Sequence, residues 1–285
     1  MADFTAADVK RLREMTGAGM MDCKRALEES QGDTARAIEI LRVKGAKDVG
    51  KRAERVAANG LVISRLLGTE AGLLLELNCE TDFVAKTEAF GRLADQVAEV
   101  AIQIRPADTG ALLAAEVEPG TTVSALLDEA NATMGEKIEV RQLAFFDDGY
   151  VASYLHKSDP GLPPTTGVLV ELDVADAQLA KDVAQQIAAM APRYISREQV
   201  PDEVLVSERR IAEEAARAEG KPEAALARII EGRLAGFYKD AVLVDQAFVK
   251  DNKRTVADRL GDRGATVRRF ARLQIRDRCG SVRVG

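Results

Sequence analysis

Few residues of this chain have the type and spacing that covalent chemistry needs. His156 is its only histidine, which leaves Cys79 and His156 as the one conceivable couple of nucleophile and general base. No third group that would orient the imidazole can be identified, and a lone histidine at the end of a strand more often has a structural or interface role. The sequence therefore favours a protein that is not an enzyme and performs no covalent chemistry.

Carboxylates and thiols are also poorly arranged for metal binding. Glu80 and Asp82 are close together, but no histidine or second acidic cluster accompanies them, as a metal site would require. The cysteines Cys23, Cys79 and Cys279 are odd in number and widely separated, which favours free thiols in a reducing compartment. We expect neither a metal nor a cofactor.

One glycine-containing stretch has the spacing of a phosphate-binding loop. Residues 45–51 read Gly-Ala-Lys-Asp-Val-Gly-Lys, but Arg52 stands where a Ser or Thr hydroxyl should reach magnesium. The stretch also follows a predicted helix, whereas a phosphate loop follows a buried strand. Direct nucleotide binding is therefore not expected.

Composition limits the remaining functions. The chain has 285 residues, 46% of them hydrophobic, enough for roughly two domains with real cores. Its net charge of -6 argues against a general DNA- or RNA-binding protein, because such binding depends on Lys and Arg residues that neutralise phosphates. Without an apolar run that would span a bilayer or a signal-peptide pattern, the protein is expected to be cytoplasmic and not membrane-bound.

The elements on either side of Asp82 make this the most informative region of the sequence. Residues 72–77 are typical of a buried strand, and apolar residues recur along 90–104 at the spacing of one helix face. Phe83 lies in the connection, where an apolar ring is unfavourable in water unless it folds back or meets a partner. In the first case Thr81 or Asp82 caps the next helix and Phe83 packs on its first turn as a staple. In the second case Phe83 is a functional residue.

The first 55 residues are expected to form a separate three-helix bundle followed by a basic linker. Thr5 and Asp8 resemble a capping pair, and glycines at 17, 19 and 32 separate three short segments with helical apolar spacing. Residues 42–55 are rich in Lys and Arg, and we interpret them as a solvated helix or linker.

From residue 59 on, the sequence repeats itself, which is the strongest signal of its organisation. Each half contains two strands, a helix stopped by a proline, and a closing strand. The matching segments are residues 59–66 and 148–155, 72–78 and 167–173, 93–98 and 179–184, and 140–144 and 267–271. The predicted fold is α+β, with two related β-β-α-β units at 56–147 and 148–275, each with helices packed on an antiparallel sheet.

Unit one carries an insertion that its twin lacks. Gly72 and Leu93 are 21 positions apart, whereas the equivalent Gly167 and Leu179 are 12 apart, so nine extra residues follow Asn78 in unit one. A segment that the twin unit lacks is not needed to close the fold, and such insertions are typically functional.

Unit two has its own insertion at about 201–243. Two helical segments separated by Gly220-Lys221-Pro222 predict an antiparallel helical hairpin. The charged faces of this hairpin are either solvated or form a homodimer contact, and the sequence does not decide between the two. The basic tail 276–285 is expected to be disordered.

Two long motifs resemble signatures of bacterial elongation factor Ts. They are residues 12–27, LREMTGAGMMDCKRAL, and residues 76–86, ELNCETDFVAK. The order of parts agrees as well over residues 1–275, whereas the tail does not look like the helical carboxy-terminal module of some members. The resemblance implies a UBA-like amino-terminal bundle. It also implies a guanine nucleotide exchange factor that binds elongation factor Tu, GDP-bound or nucleotide-free, and releases GDP during translation.

The resemblance further implies roles for particular residues. In the family a Thr-Asp-Phe-Val loop enters the partner's nucleotide domain near its magnesium ion, and the corresponding residues here are Thr81, Asp82, Phe83 and Val84. Phe83 would act as a wedge, and Asp82 would disturb the magnesium coordination. The bundle residues implied to grip the same domain are Arg13, Met20, Met21 and Lys24, and His156 is a candidate contact to another domain. The alternative is a protein-binding adaptor or chaperone-like scaffold without exchange activity.

Overall fold

The computed structural model describes residues 4–46, 55–157, 161–275 and 283–284. Most of the stretch 45–51 and most of the tail 276–285 lie outside the described residues, so the expectations for them stay predictions. The described residues form two compact units. The first draws on Met1–Phe146, Leu155–Gly167 and Leu273–Val282, and the second on Asp147–Tyr154, Val168–Arg272 and Arg283–Gly285. No helix in the described part is long and apolar enough to cross a membrane.

Three helices form the amino-terminal part of the first unit. They are α1 (Ala6–Thr16), α2 (Met20–Glu29) and α3 (Thr34–Ala46). Thr5 and Asp8 form a complete capping box at the start of α1. The helices enclose a small core of Val9, Leu12, Ala18, Cys23, Ala26, Leu27, Ala37 and Leu41. The three-helix prediction is confirmed.

A three-stranded antiparallel sheet, in the order β1-β2-β5, is the centre of the first unit. The strands of this sheet and the elements between them are, in chain order, β1 (Asn59–Leu67), β2 (Ala71–Cys79), α4 (Asp82–Ala85), α5 (Glu88–Ile104), α6 (Thr109–Ala114), β3 (Glu116–Glu118), β4 (Thr121–Thr122), α7 (Val123–Met134) and β5 (Glu139–Phe146). All nine residues of β2 are buried. The apolar face of α5 covers the sheet through Phe90, Val97 and Ala101, each completely buried. The bundle packs on this core, because α3 lies against α7 and α1 against α5.

A second antiparallel sheet has the order β6-β7-β10-β11. Its elements, and those inserted between them, are β6 (Tyr150–His156), β7 (Thr166–Leu172), α8 (Ala177–Met190), α9 (Asp202–Ala218), α10 (Glu223–Ala241), β8 (Ala247–Phe248), β9 (Asp251–Thr255), α11 (Val256–Gly261), β10 (Val267–Gln274) and β11 (Arg283–Val284). Helices α9 and α10 pack together as the predicted helical hairpin. In the tail, only Arg283 and Val284 are described, and they pair with β10.

The two sheets repeat the same arrangement. In each, the second strand lies between the first strand and the closing strand. Helices α5 and α8 both end at a residue in the left-handed conformation directly before a proline, Arg105 with φ 52° and Ala191 with φ 47°. The predicted α+β fold of two related β-β-α-β units is therefore confirmed.

The connection from the second strand to the helix distinguishes the two copies. Four residues join β7 to α8, whereas the first unit places α4 between β2 and α5 and starts α5 earlier than α8. Leu93 is the sixth residue of α5, while the matching Leu179 is the third residue of α8. Relative to the matched glycines, β2 runs two residues further than β7, the connection that contains α4 is four residues longer, and α5 begins three residues earlier, which together account for the nine extra residues.

Candidate functional site

Two consecutive helix caps shape the segment that carries Phe83. The Thr81 hydroxyl accepts a hydrogen bond from the Val84 backbone N–H at 3.4 Å and caps α4. Six residues later, Thr87 caps α5 by accepting from the Phe90 N–H at 3.2 Å, and its hydroxyl donates to the Val84 carbonyl at 2.9 Å. The backbone therefore ends one short helix and begins another within a few residues, which fixes the direction of each side chain between them.

Neighbouring residues of α4 point to opposite sides. Val84 and Ala85 are buried in the core of the first unit, whereas Phe83 is 66% exposed. An aromatic ring that packed on its own helix as a staple would be largely covered. Thr81 thus caps the next helix, as in the first alternative from the sequence, but the Phe83 ring lies in solvent and does not act as a staple.

Hydrogen bonds from a second loop hold this segment in place. Glu136, which lies between α7 and β5, accepts the Thr81 backbone N–H at 3.0 Å and also accepts the Thr81 hydroxyl. In return, the Glu80 carboxylate accepts the Lys137 N–H at 2.7 Å. The Asn59 side-chain amide donates to the Glu80 carbonyl at 2.7 Å. The connection after β2 is therefore braced from both β1 and the end of α7.

Cys79 is a structural residue in this arrangement. Its side chain is completely buried at the end of β2, and its thiol donates to the Thr81 carbonyl at 3.1 Å. Burial, helped by the negative charge of Glu136, raises the pKa of Cys79 to about 12, so at neutral pH the reactive thiolate is essentially absent. His156 is exposed at the end of β6. Cys79 is accordingly unsuited to act as a nucleophile.

Phe83 shares a groove of about 470 Å³ with residues of the bundle. The groove is lined by Lys10, Arg13, Glu14, Met20, Phe83, Lys86, Thr87 and Glu88. Two of the bundle residues singled out from the sequence, Arg13 and Met20, are thus brought next to Phe83. Met21 and Lys24 are exposed on α2 but do not line this groove.

Exposed methionines add apolar surface to α1 and α2. Met15, Met20 and Met21 all lie on α1 or α2 and are between 43% and 60% exposed. Together with Phe83 they present flexible and aromatic apolar side chains, which are enriched where proteins bind one another. Met15 was not among the binding residues predicted from the sequence. It is nevertheless an exposed methionine, one residue before the end of α1, as Met20 and Met21 are exposed methionines of α2.

Charged residues of both signs border the groove. The Lys86 ammonium lies 2.6 Å from the Asp82 carboxylate, with both side chains about half exposed. Such an i,i+4 pair in water contributes only about 0.3–0.5 kcal/mol. The ion pair with Lys86 therefore contributes little to holding Asp82 in place.

Fold and site together define an α+β protein whose candidate site is an exposed, partly apolar surface built from a helical bundle and a strand-to-helix connection. The family model described as elongation factor TS matches residues 80–277. Elongation factor Ts of Thermobifida fusca is 60% identical over 275 residues, covering 96% of this chain and 99% of that one. Those of Mycobacterium tuberculosis and Streptomyces avermitilis are 57% and 56% identical, each with the same coverage.

The chain belongs to the elongation factor Ts family, as the two sequence motifs indicated. Membership implies a nucleotide exchange factor role in translation elongation, which involves no covalent catalysis by the factor itself.

Proposed function

We propose that this protein binds elongation factor Tu in the cytoplasm and accelerates the release of its GDP. The observation that carries the proposal is the exposed ring of Phe83 on a helix whose next two residues are fixed in the core. Because the backbone that carries this ring is already fixed, covering the ring costs only side-chain entropy, and most of the hydrophobic gain remains available for binding.

The four residues of the Thr-Asp-Phe-Val motif have different tasks in this proposal. Phe83 enters the partner as a wedge, and Asp82 acts on the magnesium coordination that links the β-phosphate to protein oxygens. Thr81 and Val84 act from inside the chain, since Thr81 is the cap of α4 and Val84 is buried beneath it. They keep Phe83 and Asp82 oriented and need no contact with the partner.

The bundle supplies the rest of the contact with the nucleotide domain. Arg13 and Met20 line the same groove as Phe83, so one continuous surface of the partner can cover all three. Met21 and Lys24 extend the contact along α2, and His156 is proposed to meet another domain of elongation factor Tu. The helical hairpin is proposed as a homodimer contact, and sedimentation of the purified protein tests for it.

Phe83 by itself is insufficient for fast exchange. A thousandfold faster release requires about 4 kcal/mol of coupling between the two ligands. Burying one Phe side chain supplies roughly 2–3 kcal/mol at most. The contacts of the bundle and of the second unit must therefore contribute to the same conformational change in the partner.

Reciprocity of coupling gives the test. If this protein weakens GDP binding to elongation factor Tu by some factor, GDP must weaken the binding of this protein by the same factor. Calorimetric titration of nucleotide-free and GDP-saturated elongation factor Tu measures that factor directly, and GDP alone serves as a control ligand that should not bind this chain. Equal affinities in the two titrations would exclude exchange activity and favour the adaptor.

A further inference from the structure

We propose that Glu136 is a positioning residue for nucleotide release, because it fixes the cap of α4 and through it the direction of Phe83. The inference rests on the proposed function. Glu136 directly follows Gly135, which ends α7 with a left-handed φ of 79°. That turn leads the chain away from the helix axis and towards Thr81, 55 residues earlier in the sequence.

Both carboxylate oxygens of Glu136 are used on one residue. One accepts the Thr81 backbone N–H at 3.0 Å, and the other accepts the Thr81 hydroxyl hydrogen. Because the hydroxyl hydrogen points at Glu136, the lone pairs of that oxygen are available to accept the N–H of Val84. Glu136 thus sets the direction of the hydroxyl that begins α4, and hydrogen bonds to an ionised acceptor are stronger than neutral ones.

The bond is half of a reciprocal pair between two loops. Residues 80–81 and residues 136–137 each supply one carboxylate and one backbone N–H, since Glu80 accepts from Lys137 while Glu136 accepts from Thr81. Such a pair fixes the register of the two loops as well as their distance. A shift of the loop by one residue would leave two partly buried carboxylates without their N–H donors.

The same end of α7 also supports the bundle. A Cβ atom added to Gly17 would lie 3.0 Å from the Cγ atom of Met134, so the turn between α1 and α2 rests directly on that side chain. Gly17 lies three residues before Met20, which lines the groove with Phe83. The three-residue segment Met134–Glu136 therefore fixes both sides of the groove, the bundle through Met134 and α4 through Glu136.

The substitution Glu136→Gln tests this role with little change of shape. A glutamine can accept with one oxygen only and turns an NH2 group towards the second donor. We expect the amide hydrogens of Thr81 and Val84 to exchange with solvent about tenfold to hundredfold faster, the loss typical of a hydrogen bond to a charged group. Amides in the middle of β2 should exchange as in the wild type. GDP release from elongation factor Tu should slow at saturating concentration, with a smaller change in the concentration that gives half the maximal rate.

The matched control is Glu118→Gln, which removes the same charge from the exposed side of β3. It should change neither amide exchange at 81 and 84 nor the release rate. A second variant, Thr81→Val, removes the hydroxyl but keeps the backbone N–H bonded to Glu136. In that variant the amide of Val84 should exchange faster with solvent, while the amide of residue 81 should stay protected. This test remains valid even if Glu136→Gln folds poorly.

Two results would overturn the proposal. Unchanged exchange of the Thr81 amide in Glu136→Gln would show that the carboxylate does not hold the loop. Faster amide exchange combined with an unchanged maximal release rate would show that the loop needs no such support for function. A wild-type protein that fails to accelerate GDP release would instead refute the proposed function, and the amide measurement would still decide whether Glu136 fixes α4.

Discussion

Replacing Phe83 by alanine is the sharpest test of how this protein acts. Complete burial of a Phe side chain contributes up to about 3 kcal/mol. In the free chain 66% of this residue is exposed, so about two thirds of that gain, roughly 2 kcal/mol, remains to be made against a partner. If the ring is buried only as the partner deforms, the whole amount lowers the barrier to GDP release, and alanine should slow the maximal rate about thirtyfold.

The assay is stopped-flow release of a fluorescent GDP from elongation factor Tu over a range of factor concentrations. Leu67→Ala is the control, because Leu67 is a 40% exposed apolar residue at the end of β1 and does not line the groove. Phe83→Ala should lower the maximal rate with little change in the half-saturating concentration, and Leu67→Ala should change neither. A Phe83→Ala protein with the wild-type maximal rate would refute the wedge. So would a loss confined to the half-saturating concentration, which is the behaviour of a simple anchor.

Two further predictions concern the residues beneath the groove. The pKa of Cys79 is raised from its ordinary value of 9.0 to about 12, so between these values the folded protein keeps a proton that the unfolded chain releases. The contribution of this proton to the free energy of unfolding is complete below pH 9 and is lost progressively as the pH rises to about 12. Chemical denaturation should show wild-type stability falling relative to Cys79→Ala by up to about 1.4 kcal/mol per pH unit in that range, and parallel curves would contradict the raised pKa. Gly17→Ala should destabilise the protein by more than Gly68→Ala, because both glycines have φ near +60° to +75° but only Gly17 has Met134 within 4 Å of an added Cβ. The backbone cost is about 1–2 kcal/mol in both, so equal shifts of the thermal midpoint would show that the bundle does not rest on Met134.

The repeat made much of the fold predictable from the sequence. Strand and helix patterns recur twice in the same order along the chain, so each half supports the interpretation of the other. The structure places the second strand of each unit between the first and the closing strand, an order that the sequence alone did not give. Helix α7 was not predicted, although Thr122 caps it and Gly135 ends it in the usual way. The six residues of α6 are too few to show a period.

The site was predictable only where neighbouring residues define it. The sequence indicated that Phe83 lies in the connection between strand and helix, but a motif of consecutive residues cannot show that Val84 faces the core while Phe83 faces solvent. Glu136 could not be found at all, because its partner is 55 residues away and a single glutamate after a glycine carries no motif or period. Contacts of this kind depend on how the turn after α7 meets the end of β2, which is a property of the folded chain.

The complete burial of β2 has a mechanical consequence. This strand is paired on both sides, covered by α5, and leads within two residues into α4. A load that a partner places on Phe83 therefore passes along the stiffest element of the unit and spreads into the sheet, where interiors are close-packed and barely compressible. The first unit of this protein should therefore deform little under such a load. If the proposed function is correct, it is the partner that deforms when Phe83 is pressed against it.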